Sequence, residues 1–352
     1  MAKASVSTEI SAIGVDLGDR RCQVCVLDGE GGVVEEASIP TTHSAFERKF
    51  RSIPRTRVVI ETGTHANWIH DLLLEIGHEV LVANARKVRA ISANERKCDA
   101  LDARMLAKLG RVDATLLQPV AVRPEQARLD LGLIRARAAL VETRTSLVNS
   151  VRGLAKTAGH RLASSSTESI HKLPFDASLE SSLLPLMATL EQISKTITEY
   201  DKKIEALCRE RYPQTELLRQ VPGVGPISSL YFVLAVGDPN RFEDARDVAA
   251  YFGLVPRRDQ SGERDPQMRI SKTGDRMART LLVQCAHYIL GRFGPDSDLR
   301  RFGLRLAERG EKSGKKRAVV ATARKLAVVL FALLRSGMAY EPLKNSAKDS
   351  AS

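Results

Sequence analysis

Five short apolar runs within the first 84 residues, broken by turn signals and helix-period segments, limit this chain to a mixed sheet with helices packed on it. The first is Ser11 to Leu17, which closes on an acid, Asp16. Arg21 to Leu27 and Gly32 to Ile39 follow at hairpin spacing, with Asp28-Gly29 as the turn. A helical segment near His43 to Arg51 leads to the run Arg57 to Ile60, which ends at Glu61-Thr62-Gly63. Asn67 to Ile76 puts Trp68, Ile69, Leu72, Leu73 and Ile76 on one helical face. Glu79 to Ala83 is a further strand, and residues 99 to 112 form a helix. The succession βββαβαβα predicts a mixed sheet flanked by helices.

Four carboxylates fall at the ends of these elements. Asp16 closes the first strand and Glu61 a later one, while Asp99 and Asp102 are three apart and share a helix face. Each alone has a simpler explanation: a turn residue, a solvent-facing strand end, or a helix N-cap. Converging acids repel one another, and hard divalent cations relieve that cost. Two such ions clamp the attacking and leaving oxygens of a phosphoryl transfer. Taken together on this strand order, the four acids point to a metal site.

The net charge of +12 favours a polyanionic partner, nucleic acid ahead of an acidic membrane surface. No apolar run approaches the roughly 20 residues of a membrane span. The N-terminus lacks a signal-type segment, and the five scattered cysteines suit a reducing compartment, so a cytoplasmic location is expected. Cys22 and Cys25 form a C-x-x-C, but on an alternating strand they face opposite sides, which argues against a zinc or redox pair.

The middle of the chain reads as a helical spacer. Leu133, Leu140, Leu147 and Leu154 recur every seven residues, with Ile134, Val141 and Val148 beside them. A second run carries Leu186, Leu190, Ile193, Ile197, Tyr200, Ile204 and Leu207. Two long helices pairing as an antiparallel hairpin or across subunits are expected, with Arg161 to Asp176 as the connecting loop.

The C-terminal part reads as helical and basic. Val221-Pro-Gly-Val-Gly-Pro226 precedes an apolar helix, and its Gly223 and Gly225 would let a phosphate approach exposed backbone N–H groups, unless this is a plain helix–helix turn. Further on, Tyr251 to Val255 is stopped by Pro256, and a polar loop places Ser261-Gly262 among Arg257, Arg258, Arg264, Arg269, Lys272 and Arg276. Guanidinium forks in that number suit a phosphodiester. A serine there is a nucleophile only if a base or metal activates it.

The motifs Gly14-Val15-Asp16, Ile60-Glu61-Thr62-Gly63-Thr64 and Lys97-Cys98-Asp99-Ala100-Leu101-Asp102-Ala103-Arg104 resemble the Asp-Glu-Asp-Asp motifs of the transposases of insertion-sequence family 110, the Piv-like recombinases. Val221 to Gly225, Phe252 to Arg257, Ser261-Gly262 and Arg269 to Gly274 also have counterparts there, so the resemblance spans nearly the whole chain. It implies an N-terminal RuvC-like ribonuclease-H fold at residues 1–118, a helical coiled-coil spacer at 119–212, and a mostly helical transposase domain at 213–342. Residues 343–352 are expected to be a disordered tail. It further implies Mg²⁺ (or Mn²⁺) on Asp16, Glu61, Asp99 and Asp102, a Ser261 nucleophile, and a homo-oligomer (dimer or tetramer) with a composite site. DNA and a non-coding bridge RNA are the implied partners. One departure is the charged stretch Glu263 to Gln267 after Ser-Gly, which leaves Ser271 as the reserve nucleophile. Three other readings compete: a RuvC-type junction nuclease using water, a non-catalytic nucleic-acid-binding protein, and a sugar-kinase-like ATPase. The last is disfavoured because no second Asp-x-Gly turn follows a strand.

Overall fold

The computed structural model describes residues 9–84, 99–257, 268–309 and 313–344. The chain divides into two compact units, Met1–Pro124 and Glu125–Ser352.

The first unit is built on a five-stranded sheet of order β3-β2-β1-β4-β5. Its strands are β1 (Ile10–Asp16), β2 (Arg21–Asp28), β3 (Val33–Pro40), β4 (Arg57–Glu61) and β5 (Glu79–Ala83). β1, β2 and β3 form an antiparallel meander, and β4 and β5 add in parallel beside β1. Helices α1 (His43–Arg51) and α2 (Ala66–Ile76) provide the crossovers, and α3 (Asp99–Val112) follows. This mixed sheet with its helices is compatible with a ribonuclease-H-like fold.

Period-2 alternation sorts the strand residues onto two faces. Ile13, Val15, Cys22, Val24, Val58 and Ile60 pack with Phe46 and Phe50 of α1 and Ile69, Leu72 and Leu73 of α2. The opposite face carries Cys25, Leu27 and Val59, which meet Ala103, Ala107 and Leu106 of α3. The two cysteines of the C-x-x-C therefore sit in different layers, both reduced and buried, with burial pushing both thiols up. Asp28 fixes the hairpin turn by accepting from the backbone N–H groups of Glu30 and Gly32.

The second unit is helical: α4 (Glu125–Thr157), α5 (Glu180–Glu210), α6 (Thr215–Arg219), α7 (Pro226–Val236), α8 (Ala245–Tyr251), α9 (Arg276–Leu290), α10 (Asp298–Glu308) and α11 (Gly314–Ser336). α7 is its axis, buried from Ser229 to Val236 and packed in one core with Phe252, Leu282, Ala286, Leu326 and Phe331. The long helices α4 and α5 form an antiparallel hairpin whose base, Leu131, Ile134, Ile204 and Cys208, belongs to the same core. Buried Asp130 pins that base: Arg211 donates to both its oxygens at 2.9 Å and the Tyr212 hydroxyl donates at 2.7 Å. Of the two neighbouring heptad rows in α4, the one carrying Ile134 and Val148 is buried, whereas Leu154 of the leucine row is 43% exposed. Of the tail expected at 343–352, residues 345–352 lie outside the described residues, and 343 and 344 stand in a turn.

Candidate active site

The sheet brings two of the four acids to one edge. β1 and β4 run parallel with Val15 opposite Ile60, so Asp16 and Glu61, each one residue further, close neighbouring strands at their carboxyl ends. Gly14 and Val59 lie on the α3 face, and two residues on, by the strand period, so do Asp16 and Glu61. Both are half-buried. Carboxyl ends of parallel strands are where open α/β sheets bind ligands.

Two glycines let α3 lie close on that face. A Cβ at Gly14 would stand 2.0 Å from the Ala103 carbonyl oxygen and 2.4 Å from the Ala107 nitrogen. At the other end of the helix, a Cβ at Gly110 would stand 2.3 Å from Cγ2 of Val59, and Arg57 Nη1 donates to the Gly110 carbonyl at 3.0 Å. α3 therefore runs antiparallel to β1 and β4, and its first turn reaches the edge that carries Asp16 and Glu61. Asp99 stands one turn before Ala103, and Asp102 one turn before buried Leu106. Acids in a first turn are favoured by the helix dipole. Asp102 is half-buried and Asp99 exposed.

The loops after β1 and β4 are tied together near this edge. Trp68, the chain's one tryptophan, donates from Nε1 to His65 Nδ1 at 3.1 Å, and His65 Nε2 faces Asp19 at 3.5 Å. The sequence reading placed Trp68 on a core face and did not single out His65 or Asp19.

Among the described residues, no three His, Cys, Asp or Glu side chains are gathered closely enough to hold a metal ion. The four acids share one end of the sheet without forming a ligand set. Their donor chemistry, carboxylate oxygens from two strands and a helix, still suits a hard divalent cation.

In the second unit, Ser261, Gly262, Arg258 and Arg264 lie outside the described residues, but the chain on either side of them is firmly mounted. Arg257 N–H donates to the Arg269 carbonyl at 3.0 Å, and Ser271 N–H to the Val255 carbonyl at 2.8 Å, so the two flanks pair antiparallel. Gly253 and Gly274 make their crossing possible: both have positive φ, and a Cβ on either would lie 2.0 Å from a backbone oxygen of the other strand. Arg279 of α9 donates to the carbonyls of Phe252 and Thr273 at 2.9 and 3.0 Å, clamping both flanks. Arg257, Arg269 and Lys272 are exposed around this mount. The Ser271 hydroxyl pairs with that of Thr273 at 2.9 Å.

Asp275 caps α9 by accepting from Met277 and Ala278 N–H groups, and the Tyr231 hydroxyl donates to its other oxygen at 2.8 Å. The Asp275 cap is local, but no sequence period marks Tyr231 as its partner or Arg279 as the partner of Phe252, because both reach across the chain. Burial, and then the Asp275 carboxylate, push the Tyr231 hydroxyl up to about 12. A folded-state value above the ordinary one of about 10 means that stability is present below that pH and lost as pH rises toward the folded value. Tyr231→Phe is expected to flatten part of the alkaline fall in unfolding midpoint between about pH 10 and about pH 12, the rest including Tyr212, which is also pushed up to about 12. An unchanged alkaline profile would show that Tyr231 does not support the mount.

Gly223 and Gly225 stand at the turn into α7. Gly223 has φ +87°, and a Cβ there would meet Tyr288 Cδ1 at 2.7 Å, so the turn itself demands glycine. Gly225 is the N-cap of α7, followed by Pro226 at the first helical position.

Two family models match the chain in order. The DEDD transposase model of IS110, described as a transposase, covers residues 13–159 and with them all four acids. The model described as the transposase IS116/IS110/IS902 family covers residues 215–301, including the serine loop. A transposase for insertion sequence element IS1111A from Coxiella burnetii is 27% identical over 93% of this chain and 90% of its own length. A probable family 20 transposase from Pseudomonas aeruginosa is 29% identical over 95% of this chain and 99% of its own. A pilin gene-inverting protein from Moraxella bovis is 30% identical over 42% of this chain and 46% of its own length.

Proposed function

Because this chain belongs to the IS110 family of transposases, enzymes that cleave and rejoin DNA, we propose that Asp16, Glu61, Asp99 and Asp102 act with Ser261 on one scissile phosphate. The observation that carries this reading is the meeting of Asp16 and Glu61 at one sheet edge, opposite the acidic first turn of α3. When bound there, a divalent cation, Mg²⁺ or Mn²⁺, would draw charge from a phosphate and offset the repulsion among four carboxylates. The residues' own task is to hold that edge in place. Gly14 and Gly110 set the height of α3, and the His65–Asp19 contact links the loops that follow the two acid-bearing strands.

Ser261 Oγ attacks phosphorus, a serine–phosphate bond forms as one deoxyribose–phosphate bond breaks, and the serine's proton ends on the released DNA hydroxyl. Because no water is consumed, reversal by another DNA hydroxyl rejoins the strand. Arg257 and Arg269, with Arg258, Arg264 and Lys272, would seat the phosphate oxygens. Gly223 and Gly225 would let a backbone phosphate approach the start of α7. A functional division at 1–118, 119–212 and 213–342 accords with this reading, with the α4–α5 hairpin as the spacer. The family likeness supports a homo-oligomer whose subunits share the site through a coiled coil, and a bridge RNA that pairs with donor and target DNA.

The charge of +12 makes DNA binding steeply salt-dependent in this reading. The logarithm of affinity is expected to fall linearly with the logarithm of salt, with a slope of about −0.9 per neutralised phosphate. Titration of a labelled duplex at several salt concentrations tests it, and a flat dependence would mean that the basic surface serves something other than nucleic acid. Among the described residues, no helix is long and apolar enough to cross a membrane.

A further inference from the structure

Two apolar clusters hold the α4–α5 hairpin together, and neither reaches its middle. At the base, Leu131 and Ile134 pack with Ile204 and Cys208; at the far end, Val148, Val151 and Ala155 pack with Leu183, Met187 and Leu190. Between them lies a cleft of about 480 Å³, whose walls include Arg137, Arg144, His171, Lys172 and Ser194. A polar break in a helix seam costs stability unless its groups are fully paired.

Here the pairing is incomplete. Arg144 is only 6% exposed, yet its ion-pair partner is Glu168, 3.3 Å away and largely in solvent. Its Nε has no hydrogen-bond partner, and neither has Nδ1 of His171 or Oγ of Ser194. Of four such buried polar atoms among the described residues, three belong to residues that line this one cleft. A buried, poorly compensated guanidinium is expensive, and an anion offsets that cost.

The charges around the cleft point the same way. Asp201 is held by Arg137, and Glu191 by Lys195 at 2.8 Å. The Glu191 carboxyl lies below the usual carboxylate range, chiefly through Lys195, with His171 and Lys172 adding to it. Every acid on the wall thus has a cation partner, while Lys172 has no paired acid among the described residues. A guanidinium, an ammonium, an imidazole and a hydroxyl are the groups that bind phosphate oxygens.

We propose that this cleft is a binding site for a phosphate-type oxyanion, centred on Arg144 and completed by Lys172, His171 and Ser194. The inference does not depend on the assignment of the acids or of Ser261. The same oxyanion chemistry is offered by a free phosphate or mononucleotide and by a nucleic-acid backbone, and the experiment separates these sources.

The full-length chain is dialysed against radiolabelled inorganic phosphate, at constant ionic strength set with chloride because phosphate also stabilises proteins by exclusion from their surface. One saturable phosphate per chain is expected. Arg144→Met should bind about tenfold more weakly and Lys172→Ala about threefold, the loss of a charge-assisted contact in each case. Met replaces a poorly paired buried charge with an apolar chain of similar length, and Lys172 is exposed, so both variants should fold. Should Arg144→Met nevertheless fail to fold, Lys172→Ala alone decides. Displacement of the label by adenosine monophosphate but not by a short single-stranded oligonucleotide would identify a small-molecule site; displacement by the oligonucleotide would identify a backbone-phosphate site. Absence of saturable binding, or binding undiminished in the folded variants, overturns the proposal.

Discussion

Alanine at Asp16, Glu61, Asp99 or Asp102 is expected to lower strand cleavage by at least about 10³-fold while leaving the unfolding midpoint nearly unchanged. The size follows from the chemistry: a phosphodiester is cleaved at a useful rate only if the charge developing on its oxygens is neutralised in place. The small effect on stability follows from position. Asp16 and Glu61 close their strands at one edge, and Asp99 and Asp102 open α3 opposite them, so none holds the apolar layers together. Removing one of several neighbouring carboxylates also relieves repulsion. Cleavage of a supercoiled substrate in Mg²⁺, beside a thermal melt of each variant, measures both. If two of the four variants cut at the wild-type rate, the acids do not share a metal.

Gly14→Ala is expected to disable the enzyme by a different route. The new Cβ would meet backbone, the Ala103 carbonyl oxygen at 2.0 Å, and backbone cannot rotate away. α3 must lift from β1, costing about 3 kcal/mol, the upper part of the range for overpacking. The lift also carries Asp99 and Asp102 away from Asp16 and Glu61, so cleavage should fall with stability. Gly110→Ala provides the contrast. Its Cβ would come closest to Cγ2 of Val59, at 2.3 Å, a side-chain methyl rather than backbone, so a smaller loss of about 1–2 kcal/mol is expected. Equal losses in the two variants would mean that α3 is not seated on β1 as the geometry requires.

The first unit was largely legible in the sequence because its signals are local. The switch between periods of 2 and 3.6, with Asp28-Gly29 as the turn, located β1 to β5 and α1 to α3 to within a residue or so. Alternation alone also separated Cys22 from Cys25. The acids were legible as strand ends and a helix face, but their shared edge depends on the Val15–Ile60 register and on Gly14, which no single segment specifies. In the hairpin, two adjacent heptad rows recur together, and periodicity could not tell that the row of Ile134 and Val148 is the buried one. Arg144 interrupts that seam and is buried. Its burial depends on the connector folding back with Glu168 and His171, a tertiary contact without a sequence period.

The mount of the serine loop was legible only in part. Gly253 and Gly274 fall within the stretches that resemble the family, and the structure gives each a reason, a crossing too tight for a Cβ. Ser271 was the reserve nucleophile, and its hydroxyl pairs locally with that of Thr273.

The central claim is that serine, not water, attacks the phosphate, and the covalent product tests it most directly. A nicked substrate that cannot be religated is incubated with the full chain and Mg²⁺, the reaction is denatured, and the protein is digested for peptide mapping. A nucleotide joined through phosphoserine to the peptide at Ser261, absent in Ser261→Ala, is the expected result. Efficient cleavage with no adduct, or an adduct on Ser271, would contradict the account.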